Sequence, residues 1–106
     1  MLHFDQLMAT CNVQCVAAPF PGHGIGRDFH CLPEIFHHKN NYKGGGAVAC
    51  MEEGMIFTIE PVVNEGARSM HILEDGWTAV TNDDSRSAQF EHTVIVTADG
   101  VERLTA

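Results

Sequence analysis

His23 stands between Gly22 and Gly24, and Glu60 and Glu91 each sit inside an otherwise apolar, β-branched segment. In Phe57-Thr58-Ile59-Glu60, alternation places Thr58 and Glu60 on one strand face and Phe57 and Ile59 on the other. In Ser87 to Ile95, Gln89, Glu91 and Thr93 share a face opposite Phe90, His92 and Val94. A carboxylate held within a sheet is costly unless it is paired, hydrogen-bonded or bound to a metal. One imidazole and two carboxylates make a donor set for a hard or borderline divalent cation. The plain alternative is a one-sided sheet with both glutamates in solvent and a structural histidine at 23. His30, seven residues beyond His23, is a candidate proton carrier or oxyanion donor. The glycines flanking His23 are read as letting the backbone bend and a ligand approach. His3, His37 and His38 carry no partner pattern and are read as surface residues.

These residues must be positioned by a small scaffold. The chain has 106 residues, room for one modest core and a single domain. Its formal net charge of −8 argues against nucleic-acid and anionic-membrane partners, which need clustered Lys and Arg. No apolar run approaches the roughly 20 residues that span a bilayer, and no secretory or transit signal opens the sequence, so an intracellular, cytoplasmic chain is expected. Cys11, Cys15, Cys31 and Cys50 form no CxxC pair, which favours free intracellular thiols over a zinc site.

Phe4, Leu7, Met8, Cys11 and Cys15 fall on one face of a short N-terminal helix. Pro19 and Pro21 end it, and the stretch from 40 to 49, with Gly44-Gly45-Gly46, reads as a flexible loop. From Met55 the pattern is β. A strand runs from Met55 to Glu60 and stops at Pro61; Met70 to Leu73 and Trp77 to Thr81 form a hairpin around Glu74-Asp75-Gly76. A long strand spans Ser87 to Thr97 and a short one Val101 to Leu104, giving an α+β unit dominated by antiparallel sheet.

Four ordered motifs carry a resemblance. Gly22-His23-Gly24-Ile25-Gly26-Arg27 with Phe29-His30 and Pro33, Phe57-Thr58-Ile59-Glu60-Pro61, Asp75-Gly76-Trp77-Thr78, and Ser87-Ala88-Gln89-Phe90-Glu91-His92-Thr93 are similar to the motifs of type I methionine aminopeptidases. They cover about Gly22 to Thr105, leaving 1–21 as a poorly matching segment and 22–106 as a partial catalytic domain. The wording Met51-Glu52-Glu53-Gly54-Met55 is nearest to the eukaryotic organellar branch, which makes an organellar parent enzyme an expectation.

The resemblance implies the C-terminal half of the pita-bread fold and metal-dependent removal of the initiator methionine from nascent polypeptides. By resemblance, His23 and Glu60 are ligands of one metal, and Glu91 bridges two and assists proton transfer. His30 contacts the scissile carbonyl, Phe29 and Trp77 wall the methionine pocket, and Gln89 supports the ligands from behind. Cobalt, manganese, iron and zinc are not distinguished. The family's two metal-binding aspartates and a further catalytic histidine lie upstream of the Gly-His-Gly motif, and residues 1–22 offer only Asp5. At most one metal and no autonomous activity are therefore expected. A half-fold also exposes its inner sheet face, an expected surface for self-association or pairing. The alternative reading is a non-catalytic interaction module derived from the peptidase fold.

Overall fold

A computed structural model describes residues 14–16, 20–37 and 50–105. The elements are strands β1 (Gln14–Val16), β2 (Gly22–Gly24), β3 (Cys31–Ile35), β4 (Ile56–Ile59), β5 (Val62–Asn64), β6 (Met70–Ile72), β7 (Ala79–Thr81), β8 (Ser87–Gln89), β9 (His92–Thr97) and β10 (Gly100–Arg103). They form a five-stranded sheet in the order β10-β9-β4-β2-β3, a three-stranded sheet β1-β5-β8 and the hairpin β6-β7. Every pairing is antiparallel.

The strand before Pro61 stops there as expected, and β-structure resumes beyond it. β4 leaves the five-stranded sheet at Ile59, and β5 begins two residues after Glu60 in the three-stranded sheet. The partner ribbon breaks at the same level, so the expected single strand from Ser87 to Thr97 is two strands, β8 and β9, separated by Phe90 and Glu91. Proline has no N–H for a ladder, and this gap is where the ladder is interrupted. The register is unchanged across it, with Ile59 opposite His92 before and Val62 opposite Gln89 after. Glu60 and Glu91 therefore face each other at the point where both strands pass from one sheet to the other.

The two sheet faces are unlike. Phe57 and Val94, cross-strand partners, are the buried apolar side chains among the described residues. Thr58, on the opposite face, is fully buried as well. Ile59, expected to share the Phe57 side, is 41% exposed, so alternation reports the face but not its cover. The β6-β7 hairpin has the expected position, and Asp75 caps its turn by accepting from the backbone N–H groups of Trp77 and Thr78. The N-terminal helix falls almost wholly outside the described residues. Cys15, its last expected member, lies in β1 and pairs with Val63, so the helical spacing does not extend to it. The glycine-rich loop likewise lies outside the described residues.

Candidate metal centre

β2 is three residues long and carries His23 in its middle, and the glycines on either side are there for strand packing. A Cβ at Gly22 would lie 2.3 Å from the Thr58 carbonyl oxygen, and one at Gly24 would lie 2.3 Å from that of Leu32. Both are closer than non-bonded atoms tolerate, so only glycine lets β4 and β3 close on β2 from both sides. Strand packing alone is thus enough to require glycine at both positions.

Held this way, His23 is buried and its main-chain N–H donates to Thr58 Oγ1 at 2.9 Å. Its Nδ1 lies 2.9 Å from the Gly24 carbonyl oxygen. A carbonyl only accepts, so Nδ1 carries the proton and donates, which leaves the Nε2 lone pair pointing away from the backbone. Nε2 approaches Glu60 Oε1 at 3.4 Å, and one ligand atom from each of His23, Glu60 and Glu91 lies within 4.8 Å of the others. Three acceptors thus converge with no donor among them. Two carboxylates directly opposite each other on a ribbon repel, and a bound dication reverses that repulsion. The donor set fits a divalent metal of the hard or borderline kind.

Glu60 is anchored from several directions. Thr58 Oγ1 donates to its Oε1 at 2.9 Å, and Gln89 Nε2 approaches Oε2 at 3.3 Å. Its backbone N–H donates to His37 Nε2 at 3.0 Å. With a side chain only 12% exposed, Glu60 does not face solvent, which removes the plain alternative for this residue. Glu91 is exposed, as that alternative has it, yet belongs to the same group. His37, read from the sequence as a surface residue, is half-buried and bonded to a member of the group. Thr58 and His37 are what sequence reasoning missed. Thr58 was on the right face by alternation, but nothing local marks His37, because its partner is 23 residues away.

The rings of His23 and His30 meet edge-on with centroids 4.4 Å apart, and Phe29 packs 4.7 Å from His30 and 5.9 Å from His23. His30 makes no hydrogen bond among the described residues, so its ring nitrogens are available to a ligand. A cleft of about 320 Å³ opens beside this cluster, lined by Phe20, Pro21, His23, His30, Cys31, Glu34 and Glu60. Trp77 is not in the ring cluster; it sits in the turn between β6 and β7, 80% exposed.

The sequence matches the metallopeptidase family M24 over residues 6–98. The chain belongs to that family. Mitochondrial methionine aminopeptidase 1D of Danio rerio is 55% identical over 98 residues, 92% of this chain and 28% of the relative. Methionine aminopeptidase 1 of Dictyostelium discoideum is 52% identical over 103 residues, 95% of this chain and 27% of the relative. The crystal structure of methionine aminopeptidase from Rickettsia prowazekii superposes with a TM-score of 0.80 at 43% identity, covering 92% of this chain and 38% of that one. The M24 chain thus has part of the pita-bread architecture of its structural neighbours and spans about a quarter to two-fifths of the relatives' lengths. The family uses divalent metal, in keeping with the His/Glu group. No helix among the described residues is long and apolar enough to cross a membrane.

Proposed function

We propose that this chain carries the C-terminal part of a methionine aminopeptidase site and acts, within that site, on the free N-termini of nascent polypeptides. The convergence of His23, Glu60 and Glu91 within 4.8 Å carries the reading. In it, these three residues hold a divalent metal, and Glu91 doubles as the group that takes and returns a proton. The metal, when bound, supplies Lewis-acid polarisation of a carbonyl and a more acidic water.

The remaining chemistry belongs to side chains. His30, edge-on to His23 and otherwise unbonded, donates to the scissile carbonyl oxygen as negative charge develops there. Phe29 forms one apolar wall for the methionine side chain. Trp77, on its hairpin, has that role by resemblance alone. Gln89 and Thr58 fix the Glu60 carboxylate so that its lone pairs meet the metal without rearrangement. Two carboxylates and a neutral imidazole balance one dication; a second would leave the site with uncompensated positive charge, so one metal is proposed here. The retained ligand group disfavours the non-catalytic module, which has no use for it.

Methionine release from a Met-Gly-Ser peptide, with Mn²⁺ or Co²⁺ in excess, is the test of catalysis, alongside a Glu91→Gln chain prepared identically. Mn²⁺ binding is read on the same two samples. Mn²⁺ bound by the parent and lost by the variant supports the metal reading, whatever the turnover. Turnover by the parent alone adds autonomous activity, against the expectation of an inactive fragment. Equal Mn²⁺ binding by both chains overturns the reading.

A further inference from the structure

We infer that His37 is the residue that positions Glu60 for metal binding, an inference resting on the proposed metal site. The argument starts from the backbone of Glu60. The residue stands at the interruption between β4 and β5, followed by a proline, and its N–H points to the β2 side, because Met55 and by alternation Phe57 and Ile59 are the positions bonded to β9. β2 pairs with β4 only at Gly24 and Phe57, so a half-buried N–H at Glu60 lies past that pairing and needs another acceptor.

The structure gives it an imidazole. His37 lies just beyond the end of β3, and its Nε2 accepts the Glu60 N–H at 3.0 Å. The accepting nitrogen carries no proton, so the tautomer is Nδ1–H. The ring passes over β2 to get there: a Cβ at Gly22 would lie 3.2 Å from His37 Cε1. Gly22 therefore leaves room for the ring as well as for β4. At the other end of the same residue, Gln89 Nε2 lies 3.5 Å from the Glu60 carbonyl oxygen, a longer and weaker contact. The one short hydrogen bond of the Glu60 main chain among those described is the one its N–H donates to His37. A side chain aimed from an unpaired kink swings with its Cα, and the imidazole removes that freedom on the edge-strand side of the sheet.

His37 is not one of the three converging donor residues; it acts through Glu60. Removing it should weaken metal binding about 10- to 100-fold, the usual effect of losing a group that orients a ligand. Glutamine at this position restores the contact, because its Oε1 reaches about where Nε2 stood and accepts an N–H equally well.

The test uses the full 106-residue chain and two readouts. In the metal-free chain, nitrogen chemical shifts of the His37 ring report the tautomer, and hydrogen exchange reports the Glu60 amide. An unprotonated Nε2 and a slowed Glu60 amide are expected; a protonated Nε2 or a freely exchanging amide overturns the inference. Co²⁺ is then titrated into the parent, His37→Ala and His37→Gln chains and followed by its visible absorption. The expected order is parent close to His37→Gln, with His37→Ala 10- to 100-fold weaker. An alanine variant that binds like the parent, or a glutamine variant no better than alanine, also overturns it. A parent chain that binds no Co²⁺ sinks the metal reading itself, and the metal-free readout still decides the contact.

Discussion

Replacing Thr58 by valine tests the link between strand packing and the metal centre. Valine keeps the shape and removes one oxygen. That oxygen accepts the His23 N–H and donates to Glu60 Oε1, both at 2.9 Å; its 3.5 Å approach to the His23 carbonyl is too long to compete for the single hydroxyl proton. Thr58 is fully buried, so no water replaces the lost partner. An orphaned buried N–H costs about 1–3 kcal/mol, and a lost bond to a carboxylate about 1.5–3 kcal/mol. The two do not add, because the Glu60 carboxylate retains Gln89 and relaxes towards the cleft. A net loss of about 2–4 kcal/mol follows, a large share of the roughly 5–15 kcal/mol that holds an ordinary domain. Urea unfolding followed by far-UV circular dichroism measures it; Trp77 is too exposed for its fluorescence to report on packing. Thr58→Ser is the control, since it keeps the hydroxyl and loses only a methyl. Equal stability of the valine and serine variants refutes the reasoning, because it means the hydroxyl's bonds contribute nothing net.

Gly24→Ala forces a Cβ to within 2.3 Å of the Leu32 carbonyl oxygen, so β3 must move away from β2. The variant should lose cooperative unfolding or at least 1–3 kcal/mol, read by the same urea transition. On the hairpin, the Asp75 carboxyl sits below its ordinary pKa of 3.8, held there first by the Thr78 hydroxyl and then by the Trp77 and Thr78 amides. Asp83 is lowered too, chiefly by the Ala67 amide and then by Ser85. A depressed folded pKa means their stabilisation is complete above 3.8 and disappears as pH falls through the depressed values. The Trp77 and Ala67 amide resonances should therefore titrate below pH 3.8, and midpoints at or above it would contradict this account.

The convergence of His23, Glu60 and Glu91 was legible because it is a matter of residue type and strand face. Alternation put Thr58 with Glu60 and Gln89 with Glu91, and those faces hold in three dimensions. The hairpin and the last strand were legible for the same reason, since Asp75-Gly76 and Asp99-Gly100 mark their turns. Where a strand changes sheets, periodicity is silent. Pro61 reads as a stop, and β4 does stop before it, but only the unchanged register on either side reveals that β4-β5 and β9-β8 are one ribbon with a single bend.

The supporting residues were less legible than the candidate ligands. A ligand is recognised by its own chemistry, but a positioning group is recognised by the vacancy it fills. The Glu60 N–H needs an outside acceptor because it lies past the end of the β2–β4 pairing, and that end shows only when two distant strands are laid side by side. His37 has the same composition as its neighbour His38 and no periodic partner; what distinguishes it is the 3.0 Å contact to that one amide. The glycines of β2 follow the same logic. They look like space for a ligand at His23, but the atoms they make room for are carbonyl oxygens of the flanking strands. The convergence of His23, Glu60 and Glu91 is thus a consequence of strand packing. Glycine brings three strands close enough, and alternation with an unchanged register sets two facing glutamates on the side of one imidazole.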